Sequence, residues 1–432
     1  MRIAVVGSGI AGLVSAWLLS REHEVTLFEA NDYFGGHTHT HDVEQDGRRN
    51  RIDSGFIVHN PAHYPLLTRM FNELGIASQP TTMSFSVHSE ASGLEYNAAT
   101  LDTLFCQRRN LLSPRFIGMV RDLMRFYREA PALLGRHDDG ITLGAYLEQH
   151  RYGEAFRDDH LIPMASALWS SPARQILQFP ARYLVQFMAN HQMLQVGDRP
   201  QWRVVRGGSS TYVAALRARW SVRERCSCPV FAIRRGNGRI EVHSAAGTEH
   251  FAQVVLACHS DQALNLLADA SEAECAILGA ISYQTNDTVL HTDASVLPRR
   301  RKAWAAWNAW LPRDPGSACT VSYCMNLLQR IQSPQPFIVT LNRSKDIDPA
   351  KVLARMRYEH PVYTQASVRA QKRKAEIQGQ RGTWFAGAYW GWGFHEDGMR
   401  SAVEVATGLG VPWSSSTICA AATQLHVREL AA

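Results

Sequence analysis

The sequence predicts an α/β fold, a Rossmann-type domain assembled from both ends of the chain with an α+β domain inserted between them. Three observations carry this expectation. A strand, a glycine turn, a helix and a second strand fill the first 29 residues. A second strand, glycine-rich turn and helix start occupy residues 383–406. The long middle of the chain has helical periodicity first and strand alternation later.

At the amino terminus, Arg2 to Val6 is a short apolar run of strand type, followed at once by Gly7-Ser8-Gly9-Ile10-Ala11-Gly12. Helical periodicity runs from Ile10 to Leu19, and Val25 to Phe28 forms a second strand ending in Glu29. In a dinucleotide-binding β-α-β unit Gly7 makes the tight turn and Gly9 lets the backbone approach a pyrophosphate. Gly12 lets the helix pack on the sheet. Glu29, seventeen residues beyond Gly12, is placed to accept hydrogen bonds from ribose hydroxyls. The helix start at Ile10 and Ala11 turns free N–H groups and a positive dipole end toward the phosphates.

The next segments distinguish one dinucleotide from another. Glu29-Ala30-Asn31-Asp32-Tyr33-Phe34-Gly35-Gly36-His37-Thr38 resembles the second glycine motif of the flavin amine oxidase and phytoene desaturase superfamily. Asp53-Ser54-Gly55-Phe56 is similar to the motif of that superfamily that passes the ribityl chain and flavin ring. Val254 to Ala257 resembles its returning apolar strand, and Val230 its valine beside the adenine. Near the carboxy terminus, Ala386-Gly387-Ala388 is similar to the turn beside the ribityl chain. Gly398-Met399 resembles the helix start that faces the flavin pyrimidine. The resemblance implies FAD, held by both ends of the chain in a glutathione-reductase-like domain of amine-oxidase type. The Gly35–Thr38 and Gly393–Gly398 stretches are most similar to those of bacterial proteins labelled predicted NAD/FAD-binding dehydrogenases.

Departures from the superfamily pattern shape the expected chemistry. Asn31, Tyr33 and His37 stand where many amine oxidases carry arginines, and Ala388 replaces the usual acid. The chain has five lysines, all from Lys302 onward. The strand that looks equivalent to the lysine-bearing one of many amine oxidases, Tyr283 to Asp293, has none. The resemblance therefore implies a site other than the standard amine-oxidase one.

The cofactor domain is expected from residues 1–58, 201–275 and 376–432, with Trp202 to Gly208 resembling a desaturase Gly-Gly segment. The substrate domain is expected from 59–200, mainly helical, and from 276–375. Strands at Thr288–Thr292, Thr320–Met325 and Phe337–Leu341 suggest an antiparallel sheet over the flavin. Ser113 to Ala130 reads as an amphipathic helix, with Ile117, Val120, Met124 and Tyr127 on one stripe and Arg121, Arg125 and Arg128 on another. Packing on the substrate domain is the expected role, and peripheral membrane contact the alternative.

Composition bounds the rest. A net charge of +6 on 432 residues gives no argument for nucleic acid. Eight cysteines without a Cys-x-x-Cys pair fit a reduced, cytoplasmic protein, peripheral to the membrane at most. Met1 leads directly into a strand, so no signal peptide is expected. No apolar run reaches the roughly twenty residues of a membrane span. Oligomeric state is not legible. His37, His39 and His41 alternate as zinc ligands can, but their place beside the glycine pair favours flavin or phosphate contacts, so no metal is expected.

Flavin accepts the hydride, so the protein is expected to supply orientation and proton handling. His395 and Glu396 precede the Gly398-Met399 turn and are the candidates for proton transfer, His395 because an unperturbed imidazole titrates near pH 6.5. Asp397 is expected to cap the following helix. Tyr389, Trp390 and Trp392 are candidates for an aromatic wall, and His291 and Asn286 for the pocket roof. The expected function is an FAD-dependent oxidoreductase that oxidises, desaturates or isomerises a small apolar substrate such as a fatty acyl chain. An oxidase of a small amine is the second reading, and a flavin-binding protein without turnover the third.

Overall fold

The computed structural model describes residues 1–45, 47–135, 140–169, 171–236, 238–314 and 319–413. Its first layer is a five-stranded sheet in the order 222–225, 24–28, 2–6, 253–256, 383–385, every pair parallel. Three separate chain segments thus meet in one sheet. Its central strand, Arg2–Val6, is apolar from Ile3 onward because both faces are covered. Ile3 and Val5 pack on the Ile10–Leu19 helix and on His395–Gly408, whereas Ala4 and Val6 face Ile233, Val242 and Phe251 of a three-stranded antiparallel sheet.

Glycine decides how closely these layers meet. Gly7 has φ +97°, and a β-carbon there would lie 2.9 Å from the Ala257 carbonyl oxygen. On Gly12 a β-carbon would lie 1.9 Å from the Gly7 carbonyl oxygen, so the helix sits on its own turn with no room for a methyl. The terminal helix crosses the first helix at Gly398, whose missing side chain makes room for Ile10 Cγ2.

The second layer is a seven-stranded sheet in the order 352–361, 283–291, 338–341, 320–324, 307–311, 85–89, 95–97. All its pairs are antiparallel except Trp307–Leu311 with Phe85–Ser89. Helices Pro114–Glu129, Ile162–Trp169 and Ala181–Asn190 pack against it over Phe126, Phe156, Phe179 and Phe187.

Three expectations need correction here. The 59–200 segment is largely helical, yet it also gives two strands to this sheet. They are five and three residues long, too short for a clear alternation. Between the expected strands Thr288–Thr292 and Thr320–Met325 the sheet has a further one, Trp307–Leu311, that the expectation leaves out. In the Pro114–Glu129 helix the side facing the core carries Phe116, Met119 and Phe126, while Ile117 and Met124 are exposed. Arg125 is not solvated with its neighbours. Its guanidinium lies 4.0 Å from the Tyr152 ring centroid and donates to the carbonyls of His150 and Arg151.

Among the described residues no helix is long and apolar enough to cross a membrane. The seven cysteines there are free, and Cys419 and the rest of the 376–432 segment beyond 413 lie outside the described residues.

Gly12→Ala is expected to destabilise the fold by about 3 kcal/mol or more, because the clash is with backbone and cannot be relieved by a rotamer. Thermal melting of the variant checks this. A melting temperature equal to wild type would show that the helix can slide along the sheet.

Candidate active site

A cavity of about 1480 Å³ runs from the first glycine turn into the helical layer. A drug-sized ligand fills roughly 300–1,000 Å³, so there is room for a dinucleotide and a second molecule. Of the residues expected to hold FAD, Gly7, Gly9, Ile10 and Ala11 line it at the helix start. Glu29, Ala30, Gly36, His37 and Val230 line it alongside, as do Ser54, Gly55, Phe56, Ala257, Gly387 and Ala388.

The fit to a dinucleotide can be tested on geometry. A β-carbon on Gly9 would meet nothing within 4 Å, so that α-carbon faces open space beside the helix N-terminus. Gly36, at φ +57°, brings a second bare backbone against it, since a β-carbon there would touch Gly9 Cα at 3.0 Å. Two glycines at a helix start leave the space and the N–H groups that a pyrophosphate needs. Glu29 is already a full acceptor. Its carboxylate takes bonds from Ser8 N–H at 2.9 Å, the Ser8 hydroxyl at 2.5 Å, Asn31 N–H at 2.8 Å and the Asn31 amide at 2.9 Å. A ribose hydroxyl bound there would displace one of the two side-chain donors. Asn31, one of the residues in an arginine's usual place, thus positions the acid. Tyr33, another, stacks on His39 and donates to the Gly36 carbonyl at 3.2 Å. His37, the third, lies 5.3 Å from His360 and 6.3 Å from His259 between ring centroids. Burial holds all three imidazoles below the usual histidine range. His37 also departs from the expected row of three, packing on Tyr358 while His39 and His41 pack on each other.

Gly12, Gly35, Thr38, Asp53, Gly398 and Met399 do not line the cavity. Their geometry gives them supporting work. The Asp53 carboxylate accepts from Thr40, from Ser209 N–H and hydroxyl at 2.8 Å each, and from Gln329. It ties the strand Arg48–Asp53 to the Gly207-Gly208 turn, and burial pushes its pKa up to about 6. The Thr38 hydroxyl is bonded to the Tyr212 hydroxyl and lies 3.0 Å from His395 Nε2.

The proton-transfer candidates fare differently. His395 lines the cavity, stacks on Phe56 with centroids 3.7 Å apart, and shares Nε2 with Thr38 and Tyr212. Burial, and His59 nearby, push its pKa down to about 3. It is a neutral hydrogen-bonding group, and the argument from an unperturbed pKa does not apply to it. Glu396 points away from the cavity. Its two oxygens accept from Leu66 N–H at 2.8 Å and Leu67 N–H at 3.0 Å, capping the Pro65–Leu74 helix. Burial pushes its pKa up to about 7 in spite of those donors. Asp397 accepts from Trp392 and Phe394 N–H and so caps its own helix. Tyr389 and Trp392 line the cavity, whereas Trp390 does not. His291 and Asn286 are buried in the sheet, bonded to Thr340 and His360, and reach no part of the cavity wall.

His191 escapes sequence reasoning. It follows the Ala181–Asn190 helix, lines the cavity, and lies 6.3 Å from Trp392 and 5.8 Å from Phe394 between ring centroids. Its Nδ1 is 2.9 Å from the Phe187 carbonyl, which can only accept. The ring proton must therefore sit on Nδ1, leaving the lone pair on Nε2.

The model of the family described as flavin containing amine oxidoreductase matches residues 10–290. Over 79 residues, 18% of this chain, the sequence is 43% identical to 4,4'-diapolycopen-4-al dehydrogenase of Metabacillus indicus. The matches span only 6% and 15% of the length of the sequence relatives. Two solved structures share the fold over nearly the whole chain. The CLA-producing fatty acid isomerase from P. acnes has a TM-score of 0.64 at 17% identity, covering 94% of this chain and 98% of that one. Cyclohexylamine oxidase from Brevibacterium oxydans has a TM-score of 0.64 at 15% identity, covering 95% and 99%.

Two substitutions separate holding the cofactor from holding the fold. Gly9→Ala adds a methyl in open space, so its melting temperature in the absence of FAD should equal wild type while FAD affinity falls at least tenfold, read by fluorescence titration. Glu396→Ala leaves two buried N–H groups without an acceptor and should lower stability by about 3 kcal/mol, with flavin content and reduction rate kept. Loss of turnover at unchanged stability would return Glu396 to the chemistry.

Proposed function

This chain belongs to the flavin-containing amine oxidoreductase family and is an FAD-dependent oxidoreductase, and on that premise we propose that it oxidises, desaturates or isomerises an apolar chain of fatty-acyl type. The observation that carries this is the wall of the cavity beyond the dinucleotide. Met83, Leu104, Met119, Leu123, Met164 and Leu168 form it, with Phe85 and Trp169. The two acids that line the cavity, Glu29 and Glu359, belong to the dinucleotide side, Glu359 lying 3.4 Å from His259. No lysine lines it. A protonated amine entering such a passage loses its water with no counter-charge to meet it, whereas an alkyl chain gains from leaving water.

Bound FAD supplies a two-electron acceptor. Gly9 and Gly36 would flank its pyrophosphate, Glu29 its ribose and Val230 its adenine, with Gly387 and Ala388 near the ribityl chain. The chain's own contribution is a dry, shaped passage and the control of a proton. Tyr389, Trp392 and Phe394 wall the junction between the two halves of the cavity. His395 is held neutral and fixed by Thr38, Tyr212 and Phe56, and orients what lies against it. His191 Nε2, a lone pair beside Trp392 and Phe394, would accept the proton that a desaturation releases, and would hand any proton it takes in an isomerisation back to the substrate.

Anaerobic mixing of the FAD-loaded protein with unsaturated fatty acids, acyl esters and primary amines tests this reading. The expected result is bleaching of the flavin absorbance by an acyl substrate and none by amines. His191→Asn should slow that bleaching by roughly a hundredfold with FAD binding kept. Hydrogen peroxide release with amines and no response to acyl chains would assign the site to amine oxidation. Reduction by dithionite alone would leave the flavin structural.

A further inference from the structure

We propose that the face around the outer end of the cavity seats on an anionic lipid bilayer, so that an apolar substrate passes from membrane to flavin site without crossing water. The proposal rests on the apolar-chain reading of the cavity, and it is carried by separate observations on the surface. Ten large hydrophobic side chains are exposed among the described residues, and six of them cluster here. Leu101, Met124 and Val196 are both exposed and part of the cavity wall, which places the mouth between them. Leu111, Leu112 and Ile117 stand on the adjoining turn and helix start, and Leu112 is 89% exposed. Monomeric proteins scatter such residues singly, so their concentration at one opening marks an interaction surface.

The elements are joined as one face. Arg108, on the Arg108–Leu112 turn, is bonded to Asp102 of the Leu101–Leu104 helix, and Lys302 reaches the same carboxylate at 3.0 Å. Arg199 lies against Tyr127 on the Pro114–Glu129 helix, closing the far side of the mouth. That helix presents Ile117, Arg121, Met124 and Arg128 at spacings of four, three and four, a single stripe of alternating apolar and basic residues. The side chains of Arg121 and Arg128 are 79% and 75% exposed. A helix with apolar residues and arginines on its solvent side is the form that lies in a headgroup layer.

Charge selects the occupant. Residues 101–129 carry six arginines against three acids, and Arg299 to Lys302 add four basic residues with no acid. These two segments hold an excess of seven positive charges, whereas the whole chain has a net charge of +6. The remainder is therefore slightly acidic, and the basic excess is concentrated around the mouth. An anionic bilayer meets both features at once, its headgroups the arginines and its acyl layer the leucines. A bilayer also holds the substrate class that the cavity fits.

Co-sedimentation of the FAD-loaded protein with vesicles tests docking independently of turnover. Binding to mixed phosphatidylglycerol–phosphatidylcholine vesicles is expected, with little binding to phosphatidylcholine alone and a marked loss as salt is raised. The double variant Leu111→Glu/Leu112→Glu, outside the cavity wall, should keep flavin content and melting temperature while losing at least tenfold in vesicle binding. No sedimentation with anionic vesicles, or equal binding by the double variant, would overturn the proposal. So would self-association by light scattering that the double variant abolishes without any vesicle binding, which would give this face to a second copy of the chain. Vesicle binding without flavin reduction by any acyl substrate would keep the docking surface and refute the substrate reading alone.

Discussion

The crowding of backbone around the start of the first helix governs the rest of this structure. Gly7, Gly12, Gly36 and Gly398 each bring a neighbouring chain segment closer than a β-carbon permits. The segments come from the first turn, the second glycine motif and the terminal helix, which lie far apart in sequence. Gly9 alone among these motif glycines opens onto empty space, and that space continues into the cavity. Close packing on every other side thus leaves one direction free, toward the helix N–H groups where an anionic pyrophosphate is favoured. The groove is therefore defined by what cannot be filled, and side-chain chemistry enters only at its ends.

Burial without water imposes a second order on the site. Adjacent acids at the start of the terminal helix do different work because they point in different directions. Asp397 satisfies N–H groups of its own helix start, and Glu396 satisfies those of the Pro65–Leu74 helix. A helix start buried without an acceptor is costly, so Glu396 ties the Pro65–Leu74 helix to His395–Gly408 within one core, where Leu67, Met70 and Phe71 pack with Met399, Ala402 and Val405. The imidazoles near them are likewise held neutral by burial. Neutral histidines can donate and accept in fixed directions, which suits orientation better than charge. His191 differs from the others in having its tautomer fixed by the Phe187 carbonyl, so its free lone pair follows from geometry alone.

Local features were the legible ones. The first β-α-β unit and the terminal glycine turn declare themselves because turn, helix and acid lie within a few dozen residues and each has a local reason. The seven-stranded sheet was only partly legible. Phe85–Ser89 pairs with a strand more than two hundred residues later, and neither is long enough to show its alternation. The role of Glu396 was hidden for a related reason. The sequence places it one residue from a histidine that reaches the cavity, but a helix turns neighbours about 100° apart, and the acid's partners at Leu66 and Leu67 belong to a distant segment. His395 lines the cavity, yet its protonation follows from solvent exclusion, which cannot be read from a motif.

The Pro114–Glu129 helix joins these themes. A helix that only packed on the core would bury one stripe and show water a polar one. This one has three sides that share residues at their borders. Phe116, Met119 and Phe126 fill the core, Met119, Val120, Leu123 and Tyr127 wall the cavity, and Ile117 and Met124 meet solvent between arginines. Simple amphipathic reading assigns all apolar positions to a single buried stripe and so merges the three. Exposed apolar side chains lower solubility and add nothing to the fold, and here they adjoin a passage lined by the same residue types. Apolar side chains run from the exterior into the cavity, so a water-insoluble chain entering here would exchange one largely dry environment for another. The charged residues of the cavity wall are Glu29, Arg199, Arg357 and Glu359, and of these Arg199 stands at the rim against Tyr127. The apolar substrate proposed for this site and a mouth of this composition would thus be two consequences of one design, in which water is kept out over the whole path.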